Sequence, residues 1–152
     1  MKQKDLLDRL VNDHEKVSEF VEDLKGILDL IHDKEVWRKV KPIEDFFNQN
    51  VTVHFALEEK NVFPVCLLKL ATPETVKLIL ELQKDHGIIS SKVEEFMNIA
   101  AKKTTSNEKD TSSQLNFLGR NIFDLLLNHA SKEDDNLFPI LEKNREIFKQ
   151  FT

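Results

Sequence analysis

The chain has 152 residues, a formal net charge of −5, 40% hydrophobic and 32% charged content. That length suits one domain with a buried core, the composition excludes a disordered chain, and the acidic balance argues against nucleic acid or an anionic membrane surface as a partner. The single cysteine, Cys66, rules out an internal disulfide framework, the charged start MKQKDLLDRL is no signal peptide, and no run reaches the roughly 18 apolar residues of a membrane span, so a cytoplasmic location is expected.

Scarce glycine (3) and proline (4) point to long uninterrupted helices. From about residue 4 to 32 the apolar positions keep a seven-residue rhythm. One series is Leu7, His14, Val21 and Leu28, and the other is Leu10, Val17, Leu24 and Ile31. His14 stands where that seam calls for Leu or Val. A second helix is expected to start near Pro42, with Ile43, Phe47, Asn50, His54 and Glu58 inward, and to stop or kink at Phe63-Pro64. A short apolar piece, VCLLKL, follows. Thr72-Pro73-Glu74 is a start signal for a third helix. It places Ile79, His86, Val93 and Ala100 on one seam and Gln83, Ser90 and Met97 on the other. The polar stretch Lys102–Ser113 reads as a loop. A fourth helix is expected from about residue 112, with Leu115, Leu118, Ile122, Leu125, His129 and Glu133 inward, ending near Phe138-Pro139 before an amphipathic tail. The expected architecture is all-α: one domain over residues 1–152, an up-down-up-down four-helix bundle with a short C-terminal helical tail.

The segment HFALEEKNVFP, from His54 to Pro64, returns as HASKEDDNLFP, from His129 to Pro139. Each is preceded by an Asp-His pair, Asp13-His14 and Asp85-His86. The chain thus carries two copies of a unit His…His-x-x-x-Glu. The spacing turns about 400°, so histidine and glutamate lie on one helix face about 6 Å apart along the axis. Bare ionisable groups at seam positions cost stability unless they are paired or ligated. Six of them in matched register point to a two-metal centre with ligands His14, His54, Glu58, His86, His129 and Glu133. Imidazole and carboxylate without thiolate suit iron, with zinc and manganese as other candidates. Glu133 is the second carboxylate because it is the counterpart of Glu58 in the repeat. Glu59 is then solvated or supports a ligand from outside. Asp13 and Asp85 either orient ring nitrogens or are solvated. His32 lies too far along a straight first helix to join the set. Cys66 in its apolar run, Trp37 and the phenylalanines read as packing.

These residues resemble the hemerythrin-like family, the HHE cation-binding domains. The resemblance rests on His14, HFALE with its trailing Phe-Pro, His86, and HASKE with its trailing Phe-Pro, and it covers essentially the whole chain. It implies a non-haem centre of two iron ions with bridging carboxylates and an oxo or hydroxo bridge. Oxygen carriers of that family pair two histidines four apart on the third helix, whereas Ser90 follows His86 here; their pattern also ends His-x-x-x-x-Asp, so the resemblance makes Asp134 compete with Glu133 for the second carboxylate. The pattern is similar to that of the bacterial non-carrier members.

The expected function is a cytoplasmic di-iron protein that binds or senses oxygen, nitric oxide or iron. The rival expectation is a di-iron enzyme or iron donor in oxidative or nitrosative stress defence, acting on peroxide or nitric oxide. A third is a helical interaction module with a structural metal such as zinc. The absence of tyrosine excludes a tyrosyl radical.

Overall fold

The computed structural model describes residues 5–29, 36–101 and 108–148. Among these residues every regular element is helical. They form four long rods and a short tail. Rod one is a single α-helix, Leu6–Asp29. Rod two runs through Val36–Phe46, a π turn Phe47–Val51, Thr52–Leu57, a second π turn Glu58–Val62, and Phe63–Lys69. Rod three is Pro73–Ala101. Rod four runs through Glu108–Lys132, a π turn Glu133–Leu137, and Phe138–Lys143; the tail is Arg145–Phe148. No helix among the described residues is long and apolar enough to cross a membrane.

Local chemistry explains the starts. Asp5 accepts a hydrogen bond from the Asp8 amide at 2.9 Å and caps rod one. Thr72 accepts one from the Thr75 amide at 3.1 Å, with Pro73 as the first helical residue of rod three, as its sequence signal predicts. Two starts differ from expectation. Rod two begins at Val36, with Pro42 inside the helix, because the face carrying Val40, Ile43 and Phe46 is buried and its packing outweighs one lost backbone bond. Rod four begins at Glu108, so part of the expected polar loop is helical.

The rods also do not end at their Phe-Pro pairs. In each case the helix widens first. The Phe63 amide reaches back to the carbonyl of Glu58, and that of Phe138 to Glu133, one residue further than in an α-helix. The wider turn relieves the clash between the proline ring and the preceding turn. Pro64 and Pro139 then fall in the first turn of the next α segment, where a missing amide costs nothing.

The hydrophobic residues form two clusters. One joins Val17, Val21, Leu24 and Leu28 of rod one to Ile43 and Phe47, to Ile89 and Phe96, and to Leu115, Ile122 and Phe123. The other joins Leu6, Leu7 and Leu10 to Val62 and Phe63, to Ile79 and Leu82, and to Leu137 and Phe138. The start of rods one and three therefore meets the end of rods two and four. The changeover between clusters falls beside a histidine in every rod, so the four histidines lie between two apolar floors.

Rod one buries the residues its rhythm predicts from Leu7 to Leu28. Rod three buries Leu82, Ile89 and Phe96 as its second seam, while Gln83 and Ser90 are exposed and Met97 is half-buried. In rod four Leu126 and Phe123 are buried and Leu125 only partly, and in rod two Val51 is buried where Asn50 was expected. The tail folds back: Phe148 joins the second cluster and Arg145 pairs with Asp5 and Glu142. The expectations for His32 and for the Trp37 side chain lie outside the described residues.

Candidate metal centre

Between the two clusters the six expected side chains converge. His14, His54, His86 and His129 come one from each rod, and Glu58 and Glu133 from rods two and four; none is more than 7% exposed. Their donor atoms form two groups, Glu58–His86–His129–Glu133 and His14–His54–Glu133, with atoms in each group within 4.8 Å of one another. His86 Nε2 lies 3.0 Å from Glu58 Oε1, and His14 Nε2 lies 3.0 Å from Glu133 Oε1. His129 Nε2 is 3.6 Å from Glu133 Oε1 and His54 Nε2 is 3.5 Å from Glu58 Oε1. Glu133 belongs to both groups.

The other face of each imidazole is held from a neighbouring rod. His54 Nδ1 is 3.0 Å from Asp13, His86 Nδ1 is 3.0 Å from Glu59, His129 Nδ1 is 3.1 Å from Asp85, and His14 Nδ1 is 2.9 Å from Asp134. Rod one thus supports rod two's histidine, rod two supports rod three's, rod three supports rod four's, and rod four supports rod one's. With Nδ1–H donating to carboxylate, the Nε2 lone pair of each ring faces the centre.

This arrangement assigns the residues that the sequence left open. Asp134 is not one of the converging carboxylates; its side chain is 53% exposed and rests on His14. Glu59, 52% exposed, rests on His86 in the same way. Asp13 and Asp85 reach histidines on the next rod. The clue for Glu59 and Asp134 was present in the repeat, since each directly follows the converging glutamate. A residue one step past an inward position points toward the neighbouring rod, where the outer nitrogen of that rod's histidine sits.

Aromatic rings close the sides. Phe55 stacks on His86 with centroids 3.8 Å apart, and Phe63 lies 5.2 Å from the same ring. Phe138, the counterpart of Phe63, lies 4.7 Å from His14. Cys66 is buried among apolar residues and burial pushes its thiol up to about 11, which keeps it protonated and inert, as its apolar surroundings predict.

The charge pattern fits a cation. Burial and the negative charge of Glu58 push the Glu133 carboxyl up; burial would raise Glu58 as well, but Glu133, His129, His54 and His86 around it hold it well below the usual range. Burial alone would lower His54, but Asp13, Glu133 and Glu58 raise it well above the ordinary value; Glu58, Glu133 and Asp85 likewise raise His129 against its burial. Positive charge is therefore drawn into the centre. His54 Nε2, Glu58 Oε2 and Glu133 Oε2 are buried without a hydrogen-bond partner. His86 and His129 bring their Nε2 atoms to 3.1 Å, a contact that two lone pairs tolerate only with a proton or cation between them. Unpartnered nitrogen and oxygen atoms enclosed among these side chains fit a hard-to-borderline divalent metal.

A family model for the hemerythrin HHE cation-binding domain matches residues 5–141. The chain belongs to the hemerythrin HHE cation-binding family. No curated protein and no solved structure matches it. The hemerythrin match takes in all six converging residues and all four supporting carboxylates. A hemerythrin-type domain implies metal-ion binding, and the two donor groups are where this chain could hold it.

Proposed function

We propose that the chain is a non-haem di-iron protein that binds or senses a small species, oxygen, nitric oxide or iron itself, in the cytoplasm. The observation that carries this reading is the pair of donor groups joined through Glu133. His86, His129, Glu58 and Glu133 would hold one ion; His14, His54 and Glu133 would hold the other. Zinc and manganese suit the same donors. Bound iron would supply a redox-active Lewis acid with coordination positions left for a small ligand. The chain's own part is to aim four Nε2 atoms inward, keep the proton on each Nδ1, and exclude water with Phe55, Phe63 and Phe138. A single domain built as an up-down-up-down bundle belongs to this reading, supported by the way the rod ends alternate between the two apolar clusters.

A di-iron enzyme or iron donor in oxidative or nitrosative stress defence would use the same six residues. What favours such a role over oxygen carriage is Ser90, exposed at the position where carriers place a further histidine. Protein purified without oxygen and loaded with iron should hold about two ions per chain, and its optical spectrum should change on exposure to oxygen or nitric oxide. A reproducible content of one or none overturns the di-iron reading. Turnover of peroxide or nitric oxide with a reductant would move the assignment to the enzyme.

A further inference from the structure

The four supporting carboxylates are not equivalent. Side chains of Asp13, Glu59 and Asp134 are 37%, 52% and 53% exposed, and among the described residues no lysine or arginine pairs with any of them. Asp85 is the most enclosed, at 20%. Its Oδ2 accepts two hydrogen bonds, from His129 Nδ1 at 3.1 Å and from Lys132 Nζ at 2.9 Å. The pair lies on the wall of a surface groove of about 380 Å³ that also exposes Asn128 and Asn136.

We propose that Lys132 is a positioning and tuning residue for the centre, acting through Asp85 on His129. One carboxylate oxygen divided between an ammonium and an imidazole gives less to each. The His129 ring is then a weaker donor than the other three, whose carboxylates serve one partner apiece. The ammonium also adds a positive charge near the centre, weakened by water because Lys132 is 45% exposed. Both effects have one sign: they make the position held by His86 and His129 poorer in electrons than that held by His14 and His54. An ion there holds its lower oxidation state more readily. The inference rests on the reading that the six converging residues hold metal.

The test compares Lys132→Met, Lys132→Arg and Asp85→Asn by two readouts on the full chain. The first is affinity for redox-silent Zn²⁺, measured by chelator competition. Lys132→Met should tighten the step that involves His129, Asp85→Asn should weaken it about tenfold or more, and Lys132→Arg should stay near wild type. The second is the midpoint potential of the iron-loaded protein, which should fall in Lys132→Met, rise in Asp85→Asn and return in Lys132→Arg. Opposite signs are the signature, since simple loss of packing would weaken binding in both variants. Unchanged affinity and potential in Lys132→Met, with metal bound normally, overturns the role of Lys132 alone. Wild-type protein that takes up neither zinc nor iron overturns the metal-centre reading and this inference together.

Discussion

Oδ1 of Asp134 lies 2.9 Å from Nδ1 of His14, joining the last rod to the first. The contact closes the ring in which each rod supplies one histidine and steadies the next rod's. No rod can shift without disturbing both a donor and a neighbour's support.

The two glutamates should not be equal. Glu133 serves both donor groups and Glu58 one. Glu133→Ala should abolish most metal uptake, whereas Glu58→Ala should retain about one ion per chain, held by His14, His54 and Glu133. Metal analysis after anaerobic loading checks this, and equal losses in the two variants would contradict the asymmetry.

Asp134→Ala and Glu59→Ala should leave the loading capacity intact but weaken affinity by about ten- to a hundredfold, because each frees an outer ring nitrogen. Chelator competition distinguishes affinity from capacity. Unchanged affinity in both variants would contradict their supporting role.

Metal should raise the melting temperature, since its ligands bind only in the folded chain; metal at about a thousandfold over Kd adds about 4 kcal/mol. That increment should grow with pH. In metal-free protein Glu58 is depressed, so its stabilisation is present above its ordinary value of 4.5 and is lost as pH falls through the folded value. His54 and His129 are raised, so theirs is present below 6.5 and is lost as pH rises through the folded values. Glu133 is also raised, so its contribution is present below 4.5 and is lost as pH rises through its folded value. Metal-free protein should therefore be most stable near 4.5 and lose stability as pH rises, first through Glu133 and above 6.5 through the histidines, while metal, which competes with those protons, binds better as pH rises. Calorimetry at stepped pH with and without metal tests the divergence, and a constant increment would refute it.

Three glycine substitutions separate helix propensity from packing. A Cβ at Gly26 or Gly87 meets nothing within 4 Å, so Gly26→Ala and Gly87→Ala should each stabilise by about 0.5–1 kcal/mol. A Cβ at Gly119 comes to 3.0 Å from both methyl carbons of Leu28, a fully buried residue of the first cluster that would have to give way. Gly119→Ala should lower the melting temperature despite the same propensity gain.

Much of the centre was legible because polar residues broke an apolar rhythm. His14 interrupts the heptads of rod one, and duplication of His-x-x-x-Glu marks the other rods. The slipped seams of rods three and four have a different origin: positions three and four past an inward residue both fit a helical face, and Leu82 beside Gln83 decides only once neighbouring rods are packed. The π turns escaped for a simpler reason. Periodicity assumes about 100° per residue throughout, and nothing in a run such as EEKNV announces a wider turn.

Those wider turns set the phase of everything that follows them. The converging glutamate belongs to one angular frame and the aromatic floor beyond it, Phe63 or Phe138, to another. The wider turn takes up one additional residue and keeps the two frames in step. Deleting one residue, Lys60 or Asn61 in rod two or Asp135 or Asn136 in rod four, would restore an ordinary α-helix and leave the downstream phase nearly unchanged, because four α residues turn about as far as five in the wider turn; Phe63 or Phe138 should stay over the histidine it covers. These short stretches look replaceable, being polar and largely at the surface. What they hold is one surplus residue: a plain α-helix of the same length would turn Phe63 or Phe138 about 100° off its histidine.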